Sequence, residues 1–251
     1  LASALAPSTR GANAQDGTEI TQRKFDRLIE QTAQSEPVFG PESGTLIYDE
    51  GYISLENANL DAADVLVMAT FTNPSSSTRH SFDFGITIRE RGNGISSRYL
   101  SFIVLESGIW ALVDQDQDPL VQGEYDDFNG RREGQNTLTV YAEGNIVHLG
   151  INGDYVGSTE TDIVRSGEVY IGSAFFEDDY IENGEVPYED FTVWDLSELE
   201  DSGPSTDRGD EMETPTEPAD DNTGRGDELN TPTEEATATD VPTDTPEPTE
   251  T

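Results

Sequence analysis

An all-β fold, two antiparallel sheets packed as a sandwich, is what this sequence predicts, and three observations carry the prediction. First, the stretch from Asn136 to Ser158 alternates apolar and polar residues with period two, broken by Glu143-Gly144-Asn145 and again by Asn152-Gly153. Period two with β-branched and aromatic residues is the strand pattern. Asn-Gly suits a type I′ hairpin, whose central residues both need φ > 0. Second, similar short runs recur at spacings of about 8–12 residues, as sandwiches and barrels require. Third, residues 201–251 contain no aromatic residue, so the core belongs to the chain before them.

The elements follow in order. Leu1–Gln15 reads as the end of a signal peptide, with Ala12-Asn13-Ala14 as an A-x-A cleavage site, so residues 1–14 are assigned to a leader remnant. Thr21–Gln34 is the one good helix. Thr21 is suited to the N-cap, Phe25, Leu28, Ile29 and Thr32 share a face, and Ser35-Glu36-Pro37 ends it. Packing across the sandwich is the expected use of that face, and residues 15–37 are read as helix plus linker. Thr45–Asp49 and Tyr52–Leu55 are expected to pair around Glu50-Gly51. Val65–Thr72 follows. Ser81–Arg89 puts Phe82, Phe84, Ile86 and Ile88 on one face and Asp83, Gly85, Thr87 and Arg89 on the other. Tyr99–Leu105 pairs through Glu106-Ser107-Gly108 with Ile109–Val113, and an acidic turn at Asp114–Asp118 precedes Leu120–Gln122. In the central meander, Leu138, Val140, Ala142, Val147, Leu149 and Ile151 share a core face, leaving the opposite face open. Glu168–Ala174, an acidic loop at Glu177–Asp179 and Tyr188–Leu196 complete the set.

Residues 201–251 change character, with 12 Thr, 7 Pro and 16 acids against 2 Arg. Such a composition cannot bury enough apolar surface to offset chain entropy, so a disordered acidic stalk is expected there. The two Arg-Gly-Asp tripeptides, from Arg208 and Arg225, fall within a weak internal duplication and are read as incidental.

Within residues 38–200, the motifs GIWALV, NTLTVYAEGNIVHLGINGDYVGS, SGEVYIGSAF and YEDFTVWDL resemble the back half of concanavalin A-like (laminin-G/glucanase-type) jelly-roll domains of bacterial exported proteins. TFTNP, FDFGITIRERG and RYLSFIVLESGIW are similar to the front half. The resemblance implies a two-sheet antiparallel jelly-roll sandwich, here with one N-terminal helix and a disordered C-terminal tail. It also implies a concave sheet face as the ligand site. Lectins, adhesive modules and glucanases share such folds, so the fold leaves the activity open.

Charge narrows the partners. The net charge is −39. That surface repels phosphate backbones and anionic lipid, which argues against nucleic acid and membrane surfaces. No run of apolar residues is long enough to span a bilayer as a helix. Cysteine is absent, so there are no disulfides.

The open-face residues Asp83, Thr87, Arg89, Tyr99, Tyr141 and His148 are the candidate ligand-binding set, since sugars are bound by stacking aromatics and by Arg or Asp bonding hydroxyls. Hydrolysis would need two carboxylates flanking the bond. No E-x-D-x-E run of the glucanase type exists, and the nearest clusters, Glu124-Tyr125-Asp126 and Glu177-Asp178-Asp179, lie among turn residues. No catalytic residue is assigned. Asp114, Asp116 and Asp118 have the first spacings of a calcium loop, but Pro119 stands at the sixth position and Tyr125 at the twelfth, so at most a looser calcium site is expected at that turn, and no other cofactor. The expectation is an exported, non-catalytic module, secreted or at the cell surface, whose partner is a glycan or another cell-surface ligand. An envelope protein contacting other proteins is the alternative, and a glycoside hydrolase comes third.

Overall fold

In a computed structural model the chain is described over residues 21–47, 53–92, 96–175 and 184–197. The leader remnant, the acidic loop at Glu177–Asp179 and the Thr/Pro stalk with its Arg-Gly-Asp pairs lie outside those residues. One helix and twelve strands are described: α1 (Gln22–Thr32), β1 (Phe39–Ile47), β2 (Ser54–Ala62), β3 (Val65–Thr72), β4 (Phe82–Arg91), β5 (Arg98–Leu105) and β6 (Ile109–Val113), followed by β7 (Pro119–Glu124), β8 (Gln135–Glu143), β9 (Ile146–Ile151), β10 (Asp154–Glu160), β11 (Gly167–Phe175) and β12 (Glu185–Asp195).

The strands form two six-stranded antiparallel sheets, in the orders β1-β12-β3-β8-β9-β10 and β2-β11-β4-β5-β6-β7. The expected jelly-roll sandwich is the fold the chain adopts. Period-two alternation builds it. Phe82, Phe84, Ile86 and Ile88 of β4, and Leu138, Val140 and Ala142 of β8, point between the sheets and are essentially inaccessible. Each such large side chain contributes about 1.5–3 kcal/mol of burial free energy. The Asn152-Gly153 turn has φ of 53° and 87°, the left-handed pair a type I′ hairpin requires, and it joins β9 to β10 as expected.

One pairing differs. Among the described residues β1 and β2 do not pair with each other, and the expected turn at Glu50-Gly51 lies outside those residues. Strand β1 pairs with β12 in one sheet and β2 with β11 in the other. Each finds its partner more than a hundred residues away, which the local turn signal does not encode. Strand β2 also continues to Ala62, through polar residues too exposed to show a clear alternation.

The helix covers the outer face of the first sheet. Thr21 has the extended N-cap conformation but makes no side-chain capping bond. Phe25, 1% exposed, packs with Leu66, Tyr141 and Leu196, and its ring lies 5.4 Å from that of Tyr155. Gln22 accepts a hydrogen bond from Tyr155 N and donates to Gly153 O. The outer face of the meander is therefore covered rather than open.

Candidate functional site

The outer face of the second sheet is uncovered among the described residues and forms a groove of about 310 Å³. Its floor comes from alternate positions of β4, β5 and β11: Asp83, Gly85 and Thr87, then Tyr99, Ser101 and Ile103, then Gly172 and Ala174. Ile53 and Leu55, 61% and 51% exposed, supply an apolar wall at the β2 edge, and Val113 and Gln117 border the other side. Small residues keep the floor low. Gly85 has a structural reason as well, because a Cβ there would stand 2.4 Å from Phe102 O. The Thr87 and Ser101 hydroxyls share a hydrogen bond of 2.9 Å, leaving each with unused bonding capacity toward the groove. Tyr99 is half-buried, and its phenol pKa is raised by burial, with a hydrogen bond to Gln117 acting against that.

Asp83 sits at one end of the floor. Its Oδ1 accepts the Ala174 N–H at 2.9 Å. Burial pushes its carboxyl pKa up to about 7. The Ala174 bond opposes the rise and the charge of Glu106 adds to it. The folded value is above the unfolded one, so the folded state holds an extra proton between about pH 4 and 7, and stability falls as pH rises through that window. Asp83→Asn keeps the acceptor for Ala174 and removes the titration. The wild type should lose on the order of 2 kcal/mol relative to this variant between pH 5 and pH 8, allowing for screening through the groove. Chemical denaturation at both pH values tests it, and parallel pH profiles for the two proteins would refute the assignment.

Of the six residues proposed from sequence, the structure brings Asp83, Thr87 and Tyr99 together in this groove. The other three are elsewhere. Arg89 has φ of 58° in a register break between Ile88 and Arg91, and this bulge swings its side chain inward, where it is fully buried. There it donates to Ala63 O, Val164 O and Gly144 O and pairs with Asp64. Burial lowers its pKa and Asp64 offsets part of that. Tyr141 and His148 lie on the opposite sheet beneath α1, 6% and 8% exposed. Ser101 and Gln117 line the groove and were not singled out from sequence, although Ser101 shares the Tyr99 alternation.

The acidic turn does not gather a metal-ligand set. Asp114 Oδ1 instead accepts the N–H groups of Asp116 (3.0 Å) and Asp118 (3.3 Å), closing the turn on itself, while the Asp116 and Asp118 residues stand exposed. No group of three or more His, Asp or Glu disposed to hold a metal occurs among the described residues. Of the two acidic clusters weighed for hydrolysis, Glu124 ends β7 and the neighbouring Tyr125 hydroxyl donates to Asp154, and none of these residues lines the groove.

No protein-family model matches the sequence, and no curated protein is significantly similar to it. Among solved structures, the carbohydrate binding module CBM66 from Bacillus subtilis is similar at 9% identity and a TM-score of 0.46, over 59% of this chain and 84% of that one. A Bacillus subtilis protein of unknown function with a galectin-like fold gives 12% and 0.44, over 61% and 87%. The Bacillus licheniformis β-glucanase gives 8% and 0.44, over 61% and 77%. At these scores the likeness carries no argument about what this chain binds or does.

Proposed function

We propose that the groove on the second sheet binds a glycan without cleaving it. The observation that supports this is the groove's make-up: a low floor of small and hydroxyl-bearing residues, one tyrosine, and aliphatic walls. Sugars present hydroxyls on their edges and C–H faces above and below, which is the complement of such a surface. Among the described residues two carboxylic acids line the groove, Asp83 and Glu90, and they stand seven positions apart on one strand. At the rise of a β-strand that is roughly 20 Å, well beyond the spacing either hydrolytic geometry uses. Export to the cell exterior is part of the same proposal.

A hydrolase is the second reading, and one observation favours it. Asp83 has the raised pKa of a general acid, with Glu106 close enough to contribute. Glu106 itself does not line the groove.

Calorimetric titration of the full chain with a panel of neutral oligosaccharides tests the binding reading. Tyr99→Ala should weaken the bound sugar about five- to thirtyfold, the loss of one stacking aromatic. If nothing in the panel binds, or binding ignores Tyr99, the protein-contacting reading takes over. New reducing ends that disappear with Asp83→Asn would replace binding by hydrolysis.

A further inference from the structure

We infer that the groove, if it is a glycan site as proposed above, filters ligands by charge, accepting uncharged sugars and rejecting uronates and sulfated sugars. The inventory of charge around it carries the argument. Among the described residues Asp83 and Glu90 are the acids in its lining, and no Arg or Lys is among those that line it. Three stretches outside the described residues adjoin lining residues in the chain: 48–52 before Ile53, 93–95 before Ser97, and 176–183 after Ala174. Their sequences, YDEGY, NGI and FEDDYIEN, hold six acids and neither Arg nor Lys, so they supply no cation.

Two of the three arginines of the adjoining strands, Arg89 and Arg91, are committed elsewhere. Arg89 is buried between the sheets on backbone oxygens and Asp64. Arg91 donates to Ser166 O and Oγ and pairs with Asp61. Arg98 opens β5 but does not line the groove.

Recognition of a sugar carboxylate or sulfate normally rests on a guanidinium or ammonium group. Here the sugar's anionic group would meet acids and hydroxyls instead. Repulsion at about 5 Å through a partly screened medium gives a discrimination of about 30-fold or more. Neutral sugars meet no such barrier and find the Thr87, Ser101 and Ser97 hydroxyls.

Laminarihexaose, cellohexaose and mannohexaose, each against its C6-carboxylated counterpart, are titrated into the full chain at pH 8 in 0.15 and 0.5 M NaCl. At the higher salt the screening length is about 4 Å, so repulsion from the protein's distant charges is suppressed and contacts in the groove remain. The expected result is that a neutral hexaose binds about 30-fold or more tighter than its carboxylated form in 0.15 M NaCl and keeps a preference of about fivefold or more in 0.5 M. Asp83→Asn with Glu90→Gln should bring that ratio to within about threefold. Glu90→Gln alone, which can keep the bond from Ser97 Oγ, serves if the pair does not fold and should at least halve the ratio. Equal or tighter binding of the carboxylated form overturns the inference while leaving the glycan reading intact. So does a ratio that vanishes in 0.5 M NaCl or that the variants leave unchanged. Binding of a carboxylated form alone likewise overturns the filter. If no hexaose of either kind binds, the glycan reading fails, and the filter fails with it.

Discussion

Arg89→Ala should lower the unfolding free energy by about 2–4 kcal/mol, the cost of stripping a buried guanidinium from several backbone carbonyls and a part-exposed carboxylate. Arg89 is fully buried and reaches three separate connections. It donates to Ala63 O (2.8 Å) before β3, Gly144 O (2.9 Å) in the β8–β9 turn and Val164 O (3.4 Å) after β10. Its partner Asp64 also accepts Gly144 N–H at 2.8 Å, so the same carboxylate holds the same turn. Truncation leaves these carbonyls short of a donor in a place water reaches poorly, while the part-exposed Asp64 keeps the Gly144 N–H and water. Arg89→Lys keeps the charge but cannot span all three connections, and should recover less than half of the loss. Urea unfolding of the three proteins measures both effects. A loss below about 1 kcal/mol for the alanine variant would mean that the cluster is cosmetic.

The same residue shows where sequence reading reaches and where it stops. Alternation placed Phe82, Phe84, Ile86 and Ile88 in the core, and they are there, because a regular pleat has no other way to dispose its side chains. Carried one residue too far, the same rule put Arg89 on the open face. The bulge that turns it inward needs a positive φ at an arginine, and no local signal marks it. Asp83 and Thr87 were legible because β4 pairs in regular register at those positions, and Tyr99 because the extra residue of the break lies on β4 and leaves the alternation of β5 intact. Tyr141 and His148 lie on the correct face of their strands, yet that face is occupied. The clue was the amphipathic helix, whose Phe25 needed an apolar partner surface. Period two tells two faces apart but does not say which of them another element will cover. The β1–β12 and β2–β11 pairings are non-local, so a nearby Glu-Gly turn outweighed them in the sequence reading.

His148→Phe should change the pH dependence of stability in the direction opposite to Asp83→Asn. His148 is 8% exposed beneath α1, with its ring 6.1 Å from Tyr141 and 6.2 Å from Tyr155, and its Nδ1 has no hydrogen-bond partner. Burial, helped by the nearby Lys24 ammonium, lowers its pKa from 6.5 to about 4. The unfolded chain therefore binds the extra proton between those values. The stability that depends on neutral His148 is complete above pH 6.5 and is lost as pH falls toward 4, by on the order of 3 kcal/mol. Asp83 works the other way over nearly the same range, since its proton is held by the folded state. In the wild type the two trends offset one another. With His148→Phe, stability should rise on acidification from pH 6.5 to 4, and with Asp83→Asn it should fall. The local event can be followed too. Trp194 Nε1 donates to Ser35 O just after α1 and packs in the cluster under that helix, so loosening of α1 in acid should red-shift its emission in Asp83→Asn before global unfolding. Trp110 lies in the core between the sheets and reports the global transition. Profiles of the same sign in the two variants would show that the helix and the groove are not set against each other by pH.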